Sequence, residues 1–252
     1  MLNIITSFPK SGNTWLRFII FGILFNFEDK NFNSKMIEKF VPDFHKIVRN
    51  NKLYLDENLK NKKIFLKTHY DYYKIKNLSI NKVIVIIRNP LDVLASIINY
   101  YDINKEDLDN TVNTFAKYHT LEIFKKFNFP GFSEHIKSWE NSNKDLLIVS
   151  YSNLLNHFEK TIKEIGVFLN EDIDEKKIKL IQEKTHFNSL LKLEQSERKN
   201  NINGFFTTSI SNKNNFMNNG SNKNYQKIFN SNQIQKLEDS FFEIIQKYDL
   251  GL

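Results

Sequence analysis

The segment VIVII at residues 83–87 is a run of β-branched side chains that stops at Arg88 and Pro90. A strand that is apolar on both faces must be covered on both faces, as interior strands of a parallel sheet are. Helical spacing follows at once in LDVLASIINYY, residues 91–101. Because parallel strands need crossover connections, this order of strand, turn and helix predicts a sheet with helices on both sides.

The same order opens the chain. LNIITSF, residues 2–8, has strand character and stops at Pro9, and NTWLRFIIFGILF, residues 13–25, has helical length and spacing. Two further strands are predicted in KKIFLKTHY (62–70) and KDLLIVSY (144–151). Helical patterns are predicted between 105 and 142 and at 155–169, 174–184 and 231–248, with a long surface loop at 195–224.

These segments predict an α/β fold of a definite kind. The expected architecture is a P-loop-like, three-layer αβα arrangement with a central, mostly parallel sheet of at least four strands. At 252 residues the chain fits one domain, 1–252. Ligands of such sheets bind at the carboxyl ends of the strands, where Lys10, Lys67, His69 and Arg88 stand.

The charge of the chain indicates an anionic ligand or surface. Lys and Arg number 36 and Asp and Glu number 29, so the net charge is +7, spread along the chain rather than gathered in a tail. We therefore expect no nucleic acid partner. The chain has no cysteine, which excludes disulfides and thiolate metal sites. No leader pattern precedes the first motif, and the apolar run at 18–27 is shorter than the ~20 residues that span a bilayer. A cytoplasmic location without stable membrane insertion is expected.

The first strand-to-helix loop, SFPKSGNTW at residues 7–15, has the features of an anion site. Backbone amides and the positive end of the helix dipole point at one place there, and Lys10 adds a full charge. The loop lacks the G-x-x-x-x-G-K-[ST] spacing of nucleotide triphosphatases, because its lysine precedes the glycine. No strand ends in a clear aspartate for magnesium, which also weighs against an ATPase.

Four short blocks resemble PAPS-dependent sulfotransferases, in particular soluble bacterial members similar to the cytosolic enzymes. PKSGNTW resembles the family's 5′-phosphosulfate loop, P-K-[ST]-G-[NT]-T-W, and RNPLDVLAS resembles R-[ND]-P-x-D-[VA]-x-x-S. LKTHY resembles the strand end that carries the family's histidine base, and VSYSNLL resembles an element whose tyrosine lies near the adenine. The blocks occur in the family's order along most of the chain.

The resemblance implies a transferase of the EC 2.8.2 type that uses 3′-phosphoadenylyl sulfate (PAPS) as sulfuryl donor, releases 3′,5′-ADP (PAP) and needs no metal. In-line transfer to a hydroxyl or amine would use His69 as base, with Lys10 and Lys67 as the other catalytic residues. The residues implied for donor binding are Lys10, Ser11, Gly12, Asn13, Thr14, Trp15, Arg88, Ser96, Tyr151, Phe187, Asn218, Asn219 and Gly220.

Physical roles follow from the residue types. The Lys10 ammonium can neutralise charge that grows on the leaving phosphate, and a strand-end histidine can accept a hydroxyl proton at neutral pH. Lys67 lies two residues before His69, so both side chains of an extended segment project to the same side. Arg88 suits bidentate binding of a phosphate, and the resemblance implies that this is the 3′-phosphate, with Ser96 beside it. Trp15 offers an aromatic face to adenine. Asp92 is expected to brace its turn.

The C-terminal segment NNFMNNGSNKNY departs from the family pattern F-x-R-K-G. Asn218 and Asn219 stand where cations are expected, and a neutral hydrogen bond is weaker than a charge-assisted one. Either donor affinity is reduced or Lys213 or Lys223 compensates. The other histidines show no metal-ligand spacing, so no metal site is predicted.

Two alternatives stay open at this point. One is a small-molecule kinase on a P-loop-like fold, and the other is a catalytically inactive relative that binds PAPS or PAP. The acceptor could be a small molecule, a lipid or a glycan, and a homodimer is also open. Acceptor contacts are expected from the variable segments 28–60, 70–80, 102–115 and 195–215.

Overall fold

The structure is a computed structural model, and it describes residues 2–25, 27, 32–49, 64–202, 204, 206 and 220–251. Its described strands form one parallel sheet in the order β2-β1-β3-β4. The strands are β1 (Leu2–Thr6), β2 (Ile64–Thr68), β3 (Ile80–Ile87) and β4 (Asp145–Ser150).

Helices cover both faces of this sheet. In chain order they are α1 (Asn13–Phe25), α2 (Ser34–Phe40), α3 (Phe44–Arg49), α4 (Tyr72–Ile75), α5 (Pro90–Tyr101), α6 (Leu108–Tyr118), α7 (Glu122–Lys125), α8 (Phe132–Glu140), α9 (Tyr151–Asn156), α10 (Phe158–Leu169), α11 (Glu175–Thr185), α12 (Phe187–Lys199) and α13 (Ser231–Lys247). Among the described residues, none of the helices is both long and apolar enough to cross a membrane.

Strand β3 shows why the run at 83–87 is apolar throughout. Val83, Val85 and Ile87 are buried on the side covered by α5, α6, α8 and α13. Ile84 and Ile86 are buried on the opposite side, against α1, α10 and α11. Since every residue from 83 to 87 faces a helical layer, none of these five positions is free for a polar side chain.

The expected fold class is confirmed: the described sheet is parallel, lies between two helical layers and has the predicted strands. The crossover order places the carboxyl ends of β2, β1 and β3 side by side. The loop-to-helix connections after these three strands therefore meet at one edge, and this edge positions the candidate site.

Some boundaries differ from the sequence prediction. The segment 195–199 was expected to begin a loop, but it is the end of α12, where Glu194 accepts from Arg198 at 2.9 Å. This i,i+4 ion pair continues the helix where hydrophobic periodicity fades. The predicted helix 155–169 is divided at His157 into α9 and α10. Of the expected acceptor segments, residues 28–31, 50–60, 203, 205 and 207–215 lie outside the described residues.

Candidate active site

The loop after β1 turns sharply into α1. Lys10 and Gly12 have positive φ values of 68° and 103°, so the loop passes twice through the left-handed region. A Cβ on Gly12 would lie 2.6 Å from Cδ2 of Tyr151 and 3.1 Å from Cδ1 of Ile86. A glycine is required at this position because both the backbone angle and the close approach exclude a side chain.

The start of α1 presents donors to this loop. Leu16 N donates to Gly12 O at 3.1 Å, so the amides before Leu16 precede the first intrahelical hydrogen bond. No acidic residue lies in the first turn. Among the described residues, the buried Ser11 Oγ and Asn13 Oδ1 have no hydrogen-bond partner. Buried polar atoms are seldom unpaired in folded proteins. The Ser11 hydroxyl can donate to an anion next to the first-turn amides of α1, whereas Asn13 Oδ1 can only accept a hydrogen bond.

Lys10 extends from this loop towards α5. Its Nζ lies 3.8 Å from the centroid of the Tyr100 ring. Burial and the nearby Arg88 lower the pKa of Lys10 to about 7, although Glu194 opposes the shift. At neutral pH the ligand-free Lys10 therefore exchanges readily between ammonium and amine.

His69 follows the end of β2 and is oriented by the opening loop. Its Nδ1 lies 2.7 Å from the carbonyl oxygen of Ser7, so Nδ1 carries the proton in the neutral ring and Nε2 keeps its lone pair. Burial, Lys67 and His45 hold the pKa of His69 well below its usual range, outweighing Asp43 and the Ser7 carbonyl. A neutral imidazole in this tautomer can accept a proton at Nε2.

Lys67 is buried near His69 but has an acidic partner. Its Nζ lies 2.9 Å from Oδ2 of Asp43. Burial lowers the pKa of Lys67, while Asp43 raises it. The pKa of Asp43 is held well below its usual range by Lys67 and Arg17, although burial works in the other direction. The structure thus places Lys67 in a charge network beside the site, and a direct contact of Lys67 with the donor stays a prediction.

Arg88 lies in the turn between β3 and α5 and is buried. Its Nη2 donates to the carbonyl oxygen of Ser221 at 2.9 Å, and its Cζ lies 4.3 Å from the centroid of the Tyr151 ring. The buried Nε of Arg88 has no partner among the described residues. Ser96 lies half-buried two turns into α5, as the sequence pattern predicts. The guanidinium is held in place by these contacts and keeps donor capacity for an anion.

Aromatic side chains line the neighbouring wall. The Trp15 and Tyr151 rings meet edge to face with centroids 5.3 Å apart, and Trp15 stacks on Phe158 at 6.4 Å. Phe187 begins α12 and packs directly against the Cα position of Gly220. The structure therefore brings the predicted aromatic residues Trp15 and Tyr151 together. Phe187 is linked to them indirectly: it packs against Gly220, and the carbonyl oxygen of the next residue, Ser221, accepts a hydrogen bond from Arg88, which lies over the Tyr151 ring.

The C-terminal segment returns to α5 just after Gly220. Asp92 is buried, and its Oδ2 accepts from Lys223 N at 2.9 Å, so this carboxylate braces the turn as expected. Thr14 lies half-buried on the first turn of α1. The predicted positions Asn218 and Asn219, together with Lys213, lie outside the described residues.

Sequence reasoning missed three residues near the site: Asp43, His45 and Tyr100. His45 Nε2 accepts from the His69 amide at 3.1 Å, and Asp43 pairs with Lys67. Nothing in VPDFH signals these contacts, because they join segments that are remote in sequence. For Tyr100 a signal exists: it lies four residues after Ser96 and therefore shares a helical face with it. In the part of the chain that is described, no group of three or more His, Asp or Glu side chains could hold a metal ion.

Comparison with known proteins gives a consistent result. Residues 3–249 match the family described as Sulfotransferase domain. Sulfotransferase 1B1 of Mus musculus is 31% identical over 197 residues, which are 73% of this chain and 63% of that protein. Amine sulfotransferase of Oryctolagus cuniculus is 26% identical over 204 residues, 78% of this chain and 65% of that protein. The chain thus spans less than two thirds of the length of these two relatives.

Solved structures share the fold. Mouse sulfotransferase SULT7A1 complexed with PAP superposes with a TM-score of 0.66 at 21% identity, covering 99% of this chain and 86% of that one. Retinol dehydratase in a complex with retinol and PAP gives a TM-score of 0.68 at 17% identity, covering 100% and 83%.

Proposed function

Because this chain belongs to the Sulfotransferase domain family, we propose that it is a PAPS-dependent sulfotransferase acting on a hydroxyl or amine acceptor. The observation that carries the proposal is the meeting of three groups at the carboxyl edge of the sheet. These are the Lys10 loop after β1, a neutral His69 with Nε2 available after β2, and the partly unpaired Arg88 guanidinium after β3.

The residues present fit a donor that carries phosphate at both ends of a nucleoside. Buried donors without described partners lie at two places, Ser11 Oγ in the opening loop and Arg88 Nε after β3. The opening loop would hold the 5′ end, and Arg88 with Ser96 would hold the 3′-phosphate. When bound, PAPS supplies the activated sulfuryl group, and PAP leaves with the electron pair of the broken bond.

His69 is the proposed general base. Its Nε2 accepts the proton of the acceptor hydroxyl or amine, while the Ser7 carbonyl keeps Nδ1 as the donor. The same carbonyl stabilises the imidazolium that forms, since both ring nitrogens are then donors. The lowered pKa of His69 keeps the ring neutral at pH 7, so that the lone pair of Nε2 is available.

Lys10 is the proposed electrostatic partner of the leaving phosphate. An anion next to Lys10 raises the lowered pKa of its ammonium, because the opposite charge favours the protonated form. The loop amides and the Lys10 ammonium then stabilise charge where it develops. Trp15 and Tyr151 offer ring faces to the adenine next to Arg88.

The proposed acceptor is a small organic molecule with a hydroxyl or amine. The names of two relatives are compatible with an amine or a hydroxyl acceptor: the amine sulfotransferase of Oryctolagus cuniculus and the 3-alpha-hydroxysteroid sulfotransferase of Cavia porcellus. Phe129 lies 5.4 Å from the His69 ring and 5.9 Å from the Tyr70 ring, and these two aromatic residues give the acceptor side an aromatic wall. A lipid or glycan acceptor, a homodimer and a cytoplasmic location stay predictions.

The experiment combines a titration with a transfer assay. Calorimetric titration with PAP should show binding without magnesium, and ³⁵S-labelled PAPS with a panel of phenols, alcohols and amines should yield a labelled product. His69→Ala serves as the matched control, because it keeps the donor residues. Preference for ATP with magnesium over PAP would favour the kinase alternative. PAP binding without transfer to any acceptor would favour an inactive relative.

A further inference from the structure

His45 contacts His69 in two ways that fix different parts of that residue. Nε2 of His45 accepts a hydrogen bond from the His69 backbone amide at 3.1 Å. The two imidazole rings also stack, with centroids 6.0 Å apart and an interplanar angle of 22°. The first contact holds the backbone of His69, and the second restricts the rotation of its ring.

The helix that carries His45 is fastened to β2 on the same side. Lys67 N donates to Pro42 O at 2.9 Å, and Lys67 Nζ pairs with Asp43 Oδ2 at 2.9 Å. Asp43 Oδ1 accepts in turn from the His45 amide at 3.0 Å. The position of His45 is thus set by the strand that ends at His69, so the two histidines keep a fixed relation.

Aromatic rings pack against both members of this pair. His45 lies 4.2 Å from the Tyr70 ring and 4.7 Å from the Phe129 ring, centroid to centroid. Phe129 also packs edge to face on His69 at 5.4 Å. These contacts define a His45 cluster, consisting of His45, His69, Tyr70 and Phe129.

We propose that His45 is a positioning residue for His69, and that it acts through an unprotonated Nε2 that accepts from the His69 amide. This inference rests on the proposed function, in which His69 is the base. The Ser7 carbonyl fixes the ring nitrogen Nδ1 of His69, and His45 fixes the main chain that carries the ring. With both ends held, Nε2 of His69 points in one direction.

The contact depends on the charge state of His45. A protonated Nε2 would point an N–H at the N–H of His69, and the hydrogen bond would be replaced by repulsion. The added charge would also disfavour proton uptake by His69. The titratable and charged groups around His45 and its partner Asp43 are Lys46 on α3, Lys67, His69 and Tyr70 at the end of β2, and Arg17 on α1.

Two substitutions of His45 distinguish the effect of its hydrogen-bond acceptor, Nε2, from the effect of its aromatic ring. His45→Gln keeps a side-chain acceptor at about the reach of Nε2, and His45→Phe keeps an aromatic ring without an acceptor. We expect the Phe variant to lose about 10-fold to 100-fold in kcat, as displaced catalytic groups do, with the Kd for PAP within twofold. We expect the Gln variant to keep more of the wild-type kcat than the Phe variant does, since the hydrogen bond is retained although the ring stack is lost.

A second readout does not depend on turnover. In ¹⁵N-labelled protein at neutral pH, the His69 amide signal should keep its hydrogen-bonded, downfield position in wild type and in His45→Gln. The Phe variant should move the amide signal upfield, because the hydrogen bond is lost. Unaltered kcat in the Phe variant, or an amide signal that ignores both substitutions, overturns the inference. If wild type transfers no sulfate, the proposed function fails, and the amide signal still decides whether His45 positions His69.

Discussion

The ammonium of Lys10 lies over the ring face of Tyr100, with Nζ 3.8 Å from the ring centroid. Tyr100 belongs to α5, the helix that begins beyond Arg88 and carries Ser96 one turn earlier. Helix α5 therefore presents both Ser96, which is predicted for the 3′-phosphate, and the ring that receives Lys10. The cation–π contact with this ring partly offsets the loss of hydration of the ammonium. Burial nevertheless lowers the pKa of Lys10 to about 7.

PAP affinity should depend on pH through Lys10. Binding of a phosphate raises the pKa of Lys10 from about 7, so the ammonium's contribution is complete below pH 7. That contribution is lost as the pH rises through the higher pKa that Lys10 has in the complex with PAP. We expect the Kd measured by calorimetry to increase above pH 7, by at most about 10-fold per pH unit.

Lys10→Arg is the matched control for this dependence. A guanidinium stays charged throughout this range, so the Kd of the variant should be flat above pH 7. In wild type, buffers of different ionisation enthalpy should reveal proton uptake on binding at pH 8. A wild-type Kd that does not change between pH 7 and pH 9 contradicts the assignment.

Removal of the Arg88 guanidinium should weaken binding of the 3′-phosphate selectively. Arg88→Ala loses a charge-assisted hydrogen bond of about 1.5–3 kcal/mol, so the Kd for PAP should rise roughly 10-fold to 150-fold. The Kd for 5′-AMP, which lacks the 3′-phosphate, should change much less. Lys163→Ala, an exposed site paired with Glu159, is the surface control and should leave both constants unaltered. Equal losses for the two nucleotides would remove Arg88 from the 3′ site.

Substitution of Gly12 should damage the loop through both its backbone angle and its contact with Tyr151. Gly12→Ala places a Cβ 2.6 Å from Tyr151 Cδ2 at a φ of 103°. We expect a loss of more than about 1–2 kcal/mol in the free energy of unfolding and no measurable PAP binding. Gly251→Ala is the control, because it has a φ of 63° and nothing within 4 Å of the added atom. Urea titrations that give both variants the same loss would show that the Tyr151 contact is unimportant.

Loss of the imidazole at residue 69 should separate chemistry from binding. His69→Ala should reduce kcat by about 10²-fold to 10⁴-fold, the usual contribution of a general base. The Kd for PAP should stay within a few fold, since no donor contact is removed. Full turnover by this variant in the labelled-PAPS assay would show that another group accepts the proton.

Much of the site could be predicted along the chain because its parts are local. The loop that ends β1, the buried strand β3 and the start of α5 each lie in one continuous segment, and each carries its own pattern. The predicted start of the surface loop at residue 195 was wrong, because an ion pair between Glu194 and Arg198 extends α12 to Lys199, where apolar spacing stops. The expected roles of Asn218 and Asn219 stay predictions, since both lie outside the described residues.

The sequence by itself determined the order of strands and helices and the edge of the sheet where polar residues gather, because periodicity and turn residues act over a few neighbours. Only the tertiary structure decided which remote side chains meet there. His45 reaches His69 across 24 residues, and the Ser221 carbonyl reaches Arg88 across 133. Such contacts depend on how the crossovers pack on the sheet, and no local pattern encodes that packing.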